Sequence, residues 1–144
     1  MPLLSKLAFA AVMCSVAAAQ AAPIADPDAW AKRFIEAAAA NDAPGLTAII
    51  NEIASPRLPQ DKIAESVKGV IDHFAGKKPA FTEQFEAAKT GTFLVRYRFA
   101  LSYPEQFLFY GVDLVRSSPY GWELFNIKMS TNLNELMIDP YPFK

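Results

Sequence analysis

Cysteine occurs once in these 144 residues, at Cys14, and histidine once, at His73. Cys14 falls within the first 22 residues, which have the three-part order of an export signal. Lys6 is the only charge, Leu7 through Ala19 form an apolar run, and Ala19-Gln20-Ala21 is a small-x-small cleavage pattern. That run is too short to span a bilayer, and Met13 before Cys14 is a poor lipidation context. The pattern therefore predicts a signal peptide over 1–21 and a mature chain, 22–144, that is periplasmic or secreted. Such a chain has no thiol, so disulfides, thiolate catalysis and cysteine-ligated metals are excluded. A single histidine likewise excludes a two-histidine zinc site. No metal and no cofactor is expected.

Excess positive charge is also missing. The full chain carries 14 basic and 15 acidic residues, and losing Lys6 leaves 13 against 15, a net charge of −2. That is no footprint for nucleic acid. No second apolar run approaches membrane-spanning length, so no membrane span is expected after signal cleavage. Roughly 120 residues remain, the size of one domain that can bury a core without staples.

What is present divides into two periodicities. The first half repeats apolar residues at helical spacing. Asp26-Pro27-Asp28 supplies a cap, a proline for the first helical position and an acid at the dipole's positive end. Trp30, Phe34, Ala37 and Ala38 follow on one stripe. Asn41-Asp42 closes that helix and caps a second, from about Pro44 to Ala54. Pro56 and Pro59 break the chain, and a third helix runs from about Asp61 to Ala75. The second half alternates, predicting strands near Ala80–Ala88, Thr92–Tyr103, Gln106–Ser117 and Trp122–Thr131. The expected fold is α+β, with three N-terminal helices packed on a curved four-stranded antiparallel sheet.

Pairing Tyr103 with Gln106 and Ser117 with Trp122 sets a register for the last three strands. One face then holds the rows Val95–Leu114–Phe125, Tyr97–Val112–Ile127 and Phe99–Tyr110–Met129, and must meet the helices. The other holds Arg96–Asp113–Asn126, Arg98–Gly111–Lys128 and Leu94–Val115–Leu124, with Phe107 and Phe109 alongside.

Two stretches resemble the NTF2-like (SnoaL-like) superfamily, a cone-shaped α+β fold. Phe34 through Leu46 looks like its first helix, acidic corner and second helix. Val112-Asp113-Leu114-Val115-Arg116, followed by Tyr120 through Ile127, looks like its closing hairpin. The resemblance implies a cone between helices and sheet, in a superfamily that includes isomerases, dehydratases, secretion-system subunits and transport factors, so it specifies fold rather than activity.

Three residues are weak catalytic candidates. Asp113 is an acid in an apolar strand. As a general base it would face the cone; the register instead expects an exposed ion pair with Arg96, worth under ~1 kcal/mol. His73 sits at the shoulder of the third helix, and Glu83 shares a strand face with Phe81 and Phe85. If Glu83 pointed inward near His73, the two would form an acid–base pair. Trp30, Phe34, Tyr97, Phe99, Tyr110 and Phe125 would line a ligand pocket if the cone were open, and are core if it is filled. The C-terminal apolar tail, 133–144, reads as a strap over the cone or sheet, or as a docking segment, because Pro140 and Pro142 prevent regular pairing.

Together these features lead to an exported, non-catalytic module that binds a partner protein or itself through Phe107, Phe109, Leu94, Val115 and Leu124. A homodimer or another exported protein is the expected partner. A binder of a small apolar ligand in the cone is the alternative, and an isomerase- or dehydratase-like enzyme a third.

Overall fold

The computed structural model describes residues 24–118 and 121–137. The expected signal peptide, the Pro119-Tyr120 part of the last turn and the tail beyond Met137 lie outside the described residues. Helices α1 (Pro27–Ala39), α2 (Ala43–Ile53) and α3 (Gln60–His73) precede strands β1 (Phe81–Thr90), β2 (Leu94–Ser102), β3 (Phe107–Ser118) and β4 (Gly121–Ser130). The strands form one antiparallel sheet in the order β1-β2-β3-β4. This is the α+β arrangement anticipated above. A short helix, α4 (Leu133–Met137), is an addition to the elements that the periodicity predicts, and it ends before Pro140 and Pro142.

Local chemistry accounts for the helical boundaries. The Asp26 carboxylate accepts from the Asp28 and Ala29 amides at 3.0 and 3.2 Å, ahead of Pro27 at the first helical position. Asn41 takes a φ of 54°, ending α1, and Asp42 caps α2 by accepting from the Gly45 amide at 2.9 Å. Asn41 also donates from Nδ2 to the Lys77 carbonyl at 2.5 Å and accepts from the Tyr103 hydroxyl at 3.3 Å. One side chain thus ties the α1–α2 corner to the end of α3 and the end of β2.

All three helices bury their apolar stripes on one face of the sheet. Trp30, Phe34, Leu46, Ile50, Val67 and Phe74 meet Val95, Tyr97, Phe99, Leu101, Leu108, Tyr110, Val112 and Leu114 in a single core. The Trp30 indole donates to the Ile49 carbonyl at 3.1 Å, so its one polar atom is satisfied inside that core.

The β2–β3 register is the expected one, with Arg96 opposite Asp113 and Phe99 opposite Tyr110. The β3–β4 register agrees from Phe109–Ser130 to Asp113–Asn126, then shifts by one residue, so that Leu114 faces Leu124. The β-bulge corrects two assignments. Leu124, expected on the outer face, is fully buried in the core, and Phe125, expected in the cone, is half-buried and outside it. Side chains alternate across a sheet, so one extra residue exchanges the faces of everything beyond it. The Ser55 amide donates to the Leu124 carbonyl at 3.0 Å and Ala54 bridges to Leu124, which anchors the bulged segment to the end of α2.

Candidate functional site

A second bulge, between Gln84 and Glu86, rearranges β1 in the same way. Phe81 lies opposite Ser102 and Glu83 opposite Ala100, both on the face away from the helices. The inward Glu83 considered above is therefore corrected: its side chain is exposed on the outer face. His73 is exposed at the end of α3, and its Nε2 lies 2.9 Å from Gln106 Nε2. The two halves of the imagined acid–base pair lie on opposite faces of the sheet.

The same bulge builds a feature that the sequence reading recognised only in part. Phe81 joins Phe107 edge-on with ring centroids 6.3 Å apart, and Phe85 joins Phe109 at 6.4 Å. Phe107 and Phe109 stack at 5.8 Å. Four phenylalanines therefore form a continuous ladder across β1 and β3. Phe81 is 49% exposed, Phe107 45% and Phe85 39%, while Phe109 is half-buried. Leu94 and Val115, from the expected interface set, are opposite each other at the other end of the outer face and half-buried. Only a one-residue offset in β1 hid Phe81 and Phe85; the i, i+4 spacing of these two rings was the available signal.

Toward the centre of the outer face the chemistry changes from aromatic to ionic. Arg98 lies flat across β3 and donates to Asp113 Oδ1 at 3.0 Å and to the Tyr97 carbonyl at 2.9 Å. Asn126 donates to Asp113 Oδ2 at 3.0 Å, and Arg96 Nε stands 4.0 Å from Oδ1. Gly111 makes this possible. A Cβ there would stand 3.4 Å from Cδ, Nε and Cζ of Arg98, so any larger side chain would push the guanidinium off the strand. Asp113 points away from the helices, but it is fully buried, and its main partner is Arg98 rather than Arg96. The expectation of an exposed, nearly costless pair is corrected on both counts.

The cone itself is filled. Trp30 stacks on Phe34 at 5.3 Å, Phe34 on Phe99 at 5.9 Å, and Tyr110 meets Phe34 edge-on at 5.4 Å. Five of the six residues proposed to line a pocket, all but Phe125, are at most 1% exposed. Tyr97 donates its hydroxyl to Asp28 at the start of α1, whereas the buried Tyr110 hydroxyl has no partner. Burial raises the pKa of both phenols, with Asp28 adding to the effect at Tyr97 and Tyr103 at Tyr110. Two adjoining clefts, of about 450 and 340 Å³, open between α3 and β4 and share Val70, Met129 and Ser130. None of the six pocket candidates lines either cleft.

Comparison with known proteins bears on the fold. No family model matches the chain, and no curated protein matches it. Among solved structures, it is similar to a DUF4783 family protein from Bacteroides ovatus, with a TM-score of 0.50 and 11% identity, over 78% of this chain and 97% of that one. A cystatin-like protein from Ruminococcus gnavus aligns with a TM-score of 0.39 and 17% identity, over 73% of this chain. The aligned region spans 38% of that longer chain. At 11% identity the likeness to the Bacteroides ovatus protein is one of fold.

Proposed function

We propose that this chain is an exported, non-catalytic member of the NTF2-like superfamily that associates through the outer face of its sheet, first of all with a second copy of itself. The observation that carries the reading is the ladder of Phe81, Phe85, Phe107 and Phe109, exposed on the face that the helices leave uncovered. Aromatic rings are enriched in the buried centres of interfaces, and a contiguous apolar patch costs free energy while it faces water. A row of identical rings is self-complementary, which suits a two-fold interface in which one patch meets its own copy. Edge pairing through β1 is a poorer route, because the bulge at Phe85 and the charges of Glu83, Glu86 and Lys89 discourage strand addition.

The readings set aside lack a comparable foundation. A small ligand in the cone would need the space that Trp30, Phe34 and Tyr110 occupy. An isomerase-like site would need an acid facing that space, and Asp113 and Glu83 both point the other way. Export rests on the leader pattern read above.

Sedimentation velocity across a concentration range tests the proposal. The mature chain is expected to dimerise reversibly, and Phe107→Asp with Phe109→Asp to hold it monomeric while its far-UV circular dichroism at 25 °C stays that of the folded chain. A monomer at every concentration, indifferent to both substitutions, would remove self-association. A dimer that ignores the two substitutions would move the interface elsewhere.

A further inference from the structure

The edge of a sheet carries backbone groups that need partners, and β4 is one such edge. Its first half is occupied. Trp122 exchanges hydrogen bonds with Ile24 at 2.8 and 3.2 Å, and the Leu124 carbonyl accepts from the Ser55 amide. Beyond the bulge, the pairing of the inner strands fixes which groups turn outward. Tyr103 donates to the Gln106 carbonyl at 3.0 Å, so Leu108, Tyr110 and Val112 turn their backbone groups to β2, and Phe109, Gly111 and Asp113 turn theirs to β4. Their partners Ser130, Lys128 and Asn126 face back to β3. The amides and carbonyls of Ile127 and Met129 therefore point out of the sheet, and among the described residues no backbone group meets them.

The same stretch forms a wall of the larger cleft beside α3. Ile127, Lys128, Met129 and Ser130 all line it. Consecutive strand residues point to opposite faces, so a cavity that touches four in a row runs along the strand's edge. The side chains of Ile127 and Met129 lie on the helix-facing side, opposite Val112 and Tyr110, yet both are half-buried, as is Val70 across the cleft on α3. Two amides and two carbonyls in strand geometry thus stand beside an apolar recess. That combination is what an extended peptide needs: main-chain pairing for affinity, and recesses for alternate side chains.

We propose that the Ile127–Met129 edge binds an extended segment of another protein by strand addition. Two apolar side chains of that segment, two residues apart, enter the clefts against Val70 and Met129. The residue between them lies on the outer face beside Lys128, where an acidic side chain is favoured. A second copy of this chain is a poor occupant, because the two-fold pairing that uses all of 126–130 sets Lys128 opposite its own copy. The site is separate from the phenylalanine ladder, and the inference is independent of self-association.

Amide hydrogen exchange, read residue by residue by NMR, tests it in the unaltered mature chain. The free chain is expected to exchange the Ile127 and Met129 amides quickly and those of Asn126 and Lys128 slowly. The probe is the peptide acetyl-Thr-Val-Asp-Val-Thr-amide at millimolar concentration, which should slow exchange at Ile127 and Met129 roughly tenfold. Methylating the two valine nitrogens keeps the side chains, removes the pairing amides and should abolish the slowing. Lys128→Glu should shift the preference to the peptide with lysine at its centre. Ile127 and Met129 amides as slow as that of Lys128 without peptide would mean that the edge is already taken, and overturn the proposal. No slowing with the probe, or equal slowing with its methylated form, would also overturn it, as would slowing confined to β1. Phe107→Asp should leave every one of these results as it was, which separates this test from the interface test.

Discussion

Asp113 shows how burial decides the value of a single interaction. Exposed, a carboxylate opposite an arginine contributes under ~1 kcal/mol; buried, each charge depends on the other for the solvation that it gave up. With Arg98 6% and Asp113 0% exposed, Asp113→Asn leaves a guanidinium without its anion. The expected loss is roughly 3 kcal/mol, read by denaturant unfolding. Replacing both members with apolar residues, as Arg98→Met with Asp113→Leu, should recover most of that loss, because no unpaired charge remains. A single substitution costing under ~1 kcal/mol would mean that water still reaches the pair. An alternating pattern could show that Arg96, Arg98, Asp113 and Asn126 share a face. It held no sign that Gly111 is the gap that lets Arg98 lie down.

Among the elements, the joints carry as much information as the strands and helices. Asn41 holds a left-handed backbone and bridges two other elements, so its two roles can be separated by substitution. Asn41→Gly keeps the backbone angle accessible and loses only the bonds to Lys77 and Tyr103, an expected cost of about 1–2 kcal/mol. Asn41→Ala loses the same bonds and adds a left-handed strain of about 1 kcal/mol. Thermal unfolding of the two variants should therefore place alanine below glycine; equal melting temperatures would mean the corner relaxes to an ordinary conformation. The bulges are joints of another kind. Without them, β1 would carry Phe81 and Glu83 inward and β4 would carry Leu124 outward, as the uninterrupted alternation implied. With them, Glu83 is exposed and Leu124 joins the core.

For the molecule as a whole, the filled cone imposes a dependence on pH. Tyr97, Tyr103 and Tyr110 are each at most 5% exposed, and burial raises the pKa of all three above the ordinary value of 10.0. The unfolded chain releases those phenolic protons near pH 10 while the folded chain retains them. Stability is then intact below that pH and falls as pH rises beyond it, by up to ~1.4 kcal/mol per pH unit for each tyrosine. Urea unfolding between pH 9 and 11 should show the decline. Tyr110→Phe should make it shallower and leave neutral-pH stability unchanged or higher, since the Tyr110 hydroxyl is buried without a partner. A decline equally steep in Tyr110→Phe would mean that the Tyr110 phenol ionises inside the fold.

The sequence by itself determined the order of three helices and four strands, the apolar face that meets the helices, and the pairing of β2 with β3. These follow from periodicity, capping residues and composition, which are local. Only the tertiary structure decided where the sheet slips by one residue, which rings reach the outer face, and whether Asp113 is wet. A bulge is set by what its neighbours on other elements need, as when the end of α2 holds the Leu124 carbonyl. No alternation within a single strand encodes that requirement.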